Sequence, residues 1–138
     1  MQLPDLRDSE NIGRSVFSNR VAKRARLKGI VIPDVFLERL QADSISVDRM
    51  DHVSQDILAE LSKERGQNRE PPKSFYGWAI MKVSEAASNG RTVQATPDGI
   101  NPYHADIFLN LSDENERRDM QRQHANELAA LSQWQDAP

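Results

Sequence analysis

The sequence predicts a single α+β domain, a small, mainly antiparallel sheet of about five strands covered by two or three helices. Three observations carry this: the clean alternation of Ser44–Arg49, the run Phe75–Val83 that is apolar on both faces, and two helical segments with recognisable caps. Residues 1–13 offer few apolar anchors and contain Pro4 and Gly13, so they are expected to form a flexible arm ahead of a domain spanning 14–134. Ser18 suits the N-cap of a helix through Lys28, with Gly29 placed for the left-handed residue that ends it. Val21, Ala22 and Ala25 form its narrow apolar stripe. Gly29–Ile32 is β-branched and stops at Pro33, which predicts a short strand; Val35–Leu40 reads as strand or irregular structure.

In Ser44–Arg49, Ile45 and Val47 share one side and Arg49 falls in phase with them. A guanidinium on the core side needs a carboxylate or carbonyl partner. Ser54 caps the next helix, Val53 can staple onto Leu58, and Ile57, Leu58 and Leu61 form the expected buried stripe up to Gly66. A polar, proline-containing loop (67–73) leads to Phe75–Val83, the expected central strand. A helical turn over Ser84–Asn89, a strand over Arg91–Ala95, a Pro97-Asp98-Gly99 turn and a strand from His104 follow. The last helix is expected from Ser112 to about Trp134, with Asp113 and Glu114 favourable in its first turn and Met120, His124, Leu128, Leu131 and Trp134 near one stripe.

Composition bounds the function. The 138 residues contain no cysteine, which excludes thiol catalysis and a disulfide framework and fits a reducing, cytoplasmic setting. The N-terminal stretch is polar and the apolar runs are short, so neither a secretory signal nor a membrane span is expected. The formal charge of −3 is divided unevenly: six basic residues and no acidic one lie between Asn11 and Pro33. Such a patch suits an acidic protein partner better than nucleic acid, because no aromatics are interleaved for base stacking.

The blocks ISVDR, YGWA and NPYHADI, followed by a helix of the type QRQHANELA, resemble those of small prokaryotic proteins of no established activity, over roughly residues 14 to 134. The resemblance implies a bacterial cytoplasmic protein. It assigns no cofactor and no catalytic residue.

The sharpest chemical candidate is His104 with Asp106, two apart on one strand and therefore on one face. Imidazole titrates near neutrality, and a carboxylate beside it can orient it for acid/base work. Arg14, Ser46, Arg49 and His104 are candidates to converge as an anion or nucleotide site, with Tyr76 and Asn101 as further lining residues. The histidines lack metal-ligand spacing, and neither metal nor cofactor is expected. The favoured reading is a non-enzymatic accessory protein docking a partner through Arg14, Arg20, Lys23 and Arg24. The alternative is a small enzyme acting on a phosphate-bearing or nucleotide substrate with His104 as acid/base.

Overall fold

The segment expected to fray supplies a central strand. In the computed structural model, which describes residues 2–112 and 114–138, β1 (Asn11–Val16) lies between β2 (Ser44–Arg49) and β3 (Gly77–Lys82). The arm expected over 1–13 is thus corrected at its end: Ile12 is buried, and Glu10 just ahead of it pairs with Arg49. Asp113 and its expected role at a helix start lie outside the described residues.

Three further strands complete a six-stranded sheet of order β4-β5-β2-β1-β3-β6: β4 (Thr92–Ala95), β5 (His104–Phe108) and β6 (Gln133–Asp136). Every neighbouring pair is antiparallel. The α+β class with a small antiparallel sheet therefore holds, with one strand more than the sequence predicts. The unexpected strands are β1, partly from the segment expected to fray, and β6, at the end expected in the last helix, while the expected strand Gly29–Ile32 joins no ladder.

Both sheet faces are covered. On one, Ile12, Ile45, Val47, Ala79, Met81, Ala105 and Ile107 pack with Phe36, Ala125 and Leu128. Phe36 comes from a 3-10 turn (Pro33–Phe36), and Ala125 and Leu128 from the last helix (Arg117–Leu131). On the other face, Trp78 and Phe75 meet Leu58 and Ala59 from the helix capped by Ser54. In chain order the helices are α1 (Asn19–Lys28), α2 (Gln55–Gln67), α3 (Val83–Ala86) and α4 (Arg117–Leu131). None of the described helices is long and apolar enough to cross a membrane.

The caps fall as expected. Ser18 Oγ accepts from Val21 N–H, Gly29 closes α1 at φ 66°, and Ser54 Oγ accepts from Ile57 N–H. Other expectations are corrected. Gly29–Ile32 forms no strand, because no neighbouring strand offers it a ladder; Val31 enters the core from irregular backbone instead. Ile57 is half exposed, and the buried stripe of α2 is Leu58, Ala59, Ser62 and Gly66. The last helix begins at Arg117 rather than Ser112 and buries Gln121, Ala125, Leu128 and Ala129. Gln121 turns inward because its amide donates to the carbonyls of Arg39, Leu40 and Ala42, tying the connection after the 3-10 turn to α4.

Gly66 serves neither as a C-cap nor for a positive φ, since α2 continues to Gln67. A Cβ there would stand 2.2 Å from the carbonyl oxygen of Lys73 and 3.0 Å from the Phe17 ring. Only a bare Cα lets the 68–73 loop fold back onto the helix.

Candidate active site

The site forms where the sheet comes apart. The β1–β2 register is Ile12↔Arg49 and Gly13↔Asp48 and goes no further, while β1 continues beside β3 to Val16 and β2 beside β5 to Ser44. A cleft of about 430 Å³ opens at this fork. Its size lies within the roughly 300–1,000 Å³ usual for small-molecule sites.

Arg14 holds the fork. Its Nη1 donates to the Ser46 carbonyl at 2.9 Å, replacing a ladder bond that the parting strands cannot make. Nε donates to the Val35 carbonyl at 3.2 Å, and Nη2 pairs with Glu38. Burial lowers the pKa of this guanidinium; Glu38 opposes that, and the nearby charges of Arg69 and Arg65 lower it further.

His104 and Asp106 share a face of β5, and the imidazole is not directly bonded to the carboxylate: Nδ1 and Oδ2 stand 3.9 Å apart. Thr96 bridges them. Its Oγ1 donates to Asp106 Oδ2 at 2.8 Å, so the same oxygen must accept from His104 Nδ1, also at 2.8 Å. The Thr96 carbonyl, 3.1 Å from Nδ1, can likewise only accept. The neutral ring is therefore held as the Nδ1–H tautomer, and Nε2 keeps its lone pair with no bond to any described residue. His104 lines the cleft, with its side chain 19% exposed. Thr96 arrives by register, because its N–H continues the β4–β5 ladder onto the His104 carbonyl at 3.0 Å.

The opposite wall comes from the end of α2. Arg65 Nη2 donates to Asp48 Oδ2 at 2.8 Å and to the Ser15 and Ser62 hydroxyls at 3.1 and 2.9 Å. Its Nε is buried and without a hydrogen-bond partner among the described residues. One turn on, Arg69 lies over the Phe17 ring at 4.2 Å and has no carboxylate within ion-pair reach among the described residues. At the rim, Asp98 Oδ1 accepts from the N–H groups of Asn101 and Ile100 at 2.6 and 2.8 Å, and these bonds hold its carboxyl below the usual range. Ile100 itself is 81% exposed.

Of the residues singled out in the sequence, Arg14, Ser46, Asn101 and His104 line this cleft, and Asp106 stands behind His104. Asn101 is buried in a positioning role: Nδ2 donates to Asp48 Oδ1 at 2.8 Å while Oδ1 accepts from Tyr103 N–H. Arg49 does not join them. Its guanidinium runs to Glu10 and to the Pro4 carbonyl, and His52 reaches the same carboxylate through Nε2. Tyr76 is half-buried just ahead of β3 and lies outside the cleft, bonded through its backbone to Val16 and Ala137. Arg20, Lys23 and Arg24 are exposed on or near the start of α1, with Arg20 paired to Asp34 at 2.9 Å.

Sequence reasoning missed Thr96, Arg65 and Arg69. Arg65, in the last turn of α2, carries the signal of a basic residue at a helix C-terminus; Arg69 lies beyond the helix in the loop, where periodicity marks no face. For Thr96 there was none, because its contact is created by strand register. Among the described residues no three carboxylate or imidazole side chains gather as metal ligands. No family model, curated protein or solved structure matches the chain.

Proposed function

We propose that the protein is a small enzyme acting on a phosphate-bearing substrate in the cleft, with His104 as general acid/base. The observation that carries this is the Asp106–Thr96–His104 chain, which fixes the ring by Nδ1 and leaves Nε2 as a bare acceptor at the cleft wall. Arg69, uncommitted to a carboxylate, supplies the charge such a substrate needs. In this reading Nε2 takes a proton from a hydroxyl or water of the reacting group and can return it to the leaving oxygen. Thr96 and Asp106 act through His104 as positioning residues, and Asp106 stabilises the imidazolium without accepting the proton.

The test is a panel of phosphomonoesters, phosphodiesters and nucleotides followed by phosphorus NMR, comparing the parent with His104→Gln. The expected outcome is turnover of at least one compound, reduced about 10²- to 10⁴-fold in the variant. The unfolding temperature should change by no more than about 4 °C, the equivalent of one lost hydrogen bond. Turnover that survives the substitution, or a panel left untouched, would falsify this assignment.

A second reading rests on Lys23 and Arg24, which are exposed on α1 with no carboxylate in ion-pair reach among the described residues. It has α1 docking an acidic protein surface in an accessory role. Affinity that falls steeply with salt and vanishes in an Arg20→Glu/Lys23→Glu/Arg24→Glu variant supports it; salt-insensitive docking removes it.

A further inference from the structure

A second cavity, of about 210 Å³, adjoins the cleft and shares Arg14, Phe17 and Arg69 with it. Beyond these its wall adds Arg20, Asp34 and Lys73. Four cations thus face one carboxylate, and Asp34 is taken up by Arg20. Arg14 is satisfied by Glu38 and two carbonyls. Arg69 and Lys73 remain, without a carboxylate in reach among the described residues.

Those two side chains are brought together by the fold. The N–H groups of Arg69 and Lys73 both donate to the Gly66 carbonyl, at 3.2 and 2.9 Å, which pins the loop back against α2. Phe17 supports the Arg69 guanidinium from below. No acidic residue lies in the first turn of α1, which begins at the same wall. Like charges gathered at one wall repel one another, and an anion between them relieves that repulsion.

We propose that this second cavity is an anchoring subsite, taking the terminal phosphate of a small-molecule diphosphate between Arg69 and Lys73, while the rest of the molecule, with the phosphate that reacts, passes Phe17 toward His104. The inference rests on the reading of the main cleft as a substrate site and adds which end of the substrate goes where. An exposed Lys and an exposed Arg on a pinned loop give charge-assisted hydrogen bonds to phosphate oxygens without first having to break an internal ion pair.

Calorimetric titration of inorganic pyrophosphate into the full chain at low salt tests it. Binding is expected in the parent, weakened about tenfold or more in Lys73→Gln and in Arg69→Gln, and changed less than about twofold in His104→Gln. Lys73→Gln breaks no side-chain hydrogen bond or ion pair among the described residues, so it remains informative if loss of the Phe17 stack affects Arg69→Gln. No binding in the parent, undiminished binding in Lys73→Gln, or loss in His104→Gln would each overturn the placement. Tighter binding of a single-stranded oligonucleotide lacking a terminal phosphate would overturn the small-molecule assignment. Because nothing here depends on turnover, His104-dependent catalysis without pyrophosphate binding sinks the subsite alone, and binding without catalysis sinks the enzymatic reading alone.

Discussion

Arg49 shows how far a single residue can be read from sequence. Period-two alternation puts its guanidinium on the core side, and the structure meets the resulting demand with Glu10 at 2.7 and 2.9 Å and the Pro4 carbonyl at 2.7 Å. The partner could not be named beforehand, because it comes from a segment with too few apolar residues to suggest order. Both side chains of the pair are almost wholly buried. Arg49→Met should therefore cost about 3–5 kcal/mol in urea unfolding, by stranding a carboxylate, whereas Glu10→Leu with Arg49→Met should cost far less. Equal losses in the single and double variants would contradict this account. Burial alone would raise Glu10, but hydrogen bonds from Arg49 and His52 outweigh it and hold the carboxyl below its usual value. This contribution is present above the unfolded carboxyl pKa and is lost as pH falls through the lower folded one.

At the scale of elements, what proved legible was local chemistry and what did not was pairing. Helix caps at Ser18, Gly29 and Ser54 are decided within a few residues, so the sequence contains them. Strand β6 continues the helical spacing of Leu131 and Trp134 on paper, yet it pairs with β3 at Ala79↔Trp134, a contact 55 residues distant that no local pattern encodes. The joint between β4 and α4 is similarly non-local. Arg91, fully buried, donates to the Ala86 carbonyl, to His124 Nδ1 at 2.9 Å and to Glu127 at 2.5 Å. Because Arg91 can only donate, His124 accepts through Nδ1 and is neutral. Burial first, then the Arg91 charge, lowers the His124 pKa against the opposing pull of Glu127. A histidine depressed in the folded state stabilises fully above its unfolded pKa, about 6.5, and this stability is lost as pH falls below that value toward the folded pKa. Urea midpoints should accordingly decline between pH 7.5 and pH 5 in the parent and less steeply in His124→Gln; parallel curves would remove His124 as the cause.

Across the whole molecule, the charge asymmetry read from the sequence turns out to be divided among several tasks. Arg14 goes to the cleft, Arg20 and Arg26 make exposed pairs with Asp34 and Asp136, and Lys23 and Arg24 face solvent. Such exposed pairs contribute about 0–1 kcal/mol. The Arg20→Glu/Lys23→Glu/Arg24→Glu variant should then unfold within about 4 °C of the parent, and a larger fall would mean that this helix face supports the fold. The composition of the cleft lay beyond sequence reasoning for a related reason: Arg14, Arg69 and His104 belong to a β1 position, a loop and β5, and meet only because the sheet folds them onto one opening. Three of the four residues named as a convergent anion site do meet, and the fourth, Arg49, is excluded by the alternation that sends it to Glu10.

The short β1–β2 register has a mechanical meaning. The strands β2, β5 and β4 form one blade and β1, β3 and β6 the other, joined at a pivot of Ile12↔Arg49 and Gly13↔Asp48. Beyond the pivot no ladder bond joins the blades; they are bridged by the bonds Arg14 makes with Val35, Ser46 and Glu38, by Arg65 between Ser15 and Asp48, and by the core they share on one face. At the pivot, Gly13 carries no side chain where Met50 Sδ sits 2.8 Å from the position a Cβ would take. The width of the opening in front of His104 is thereby set by two arginines that span the fork, Arg14 and Arg65, and by a glycine that lets the strands close at its apex.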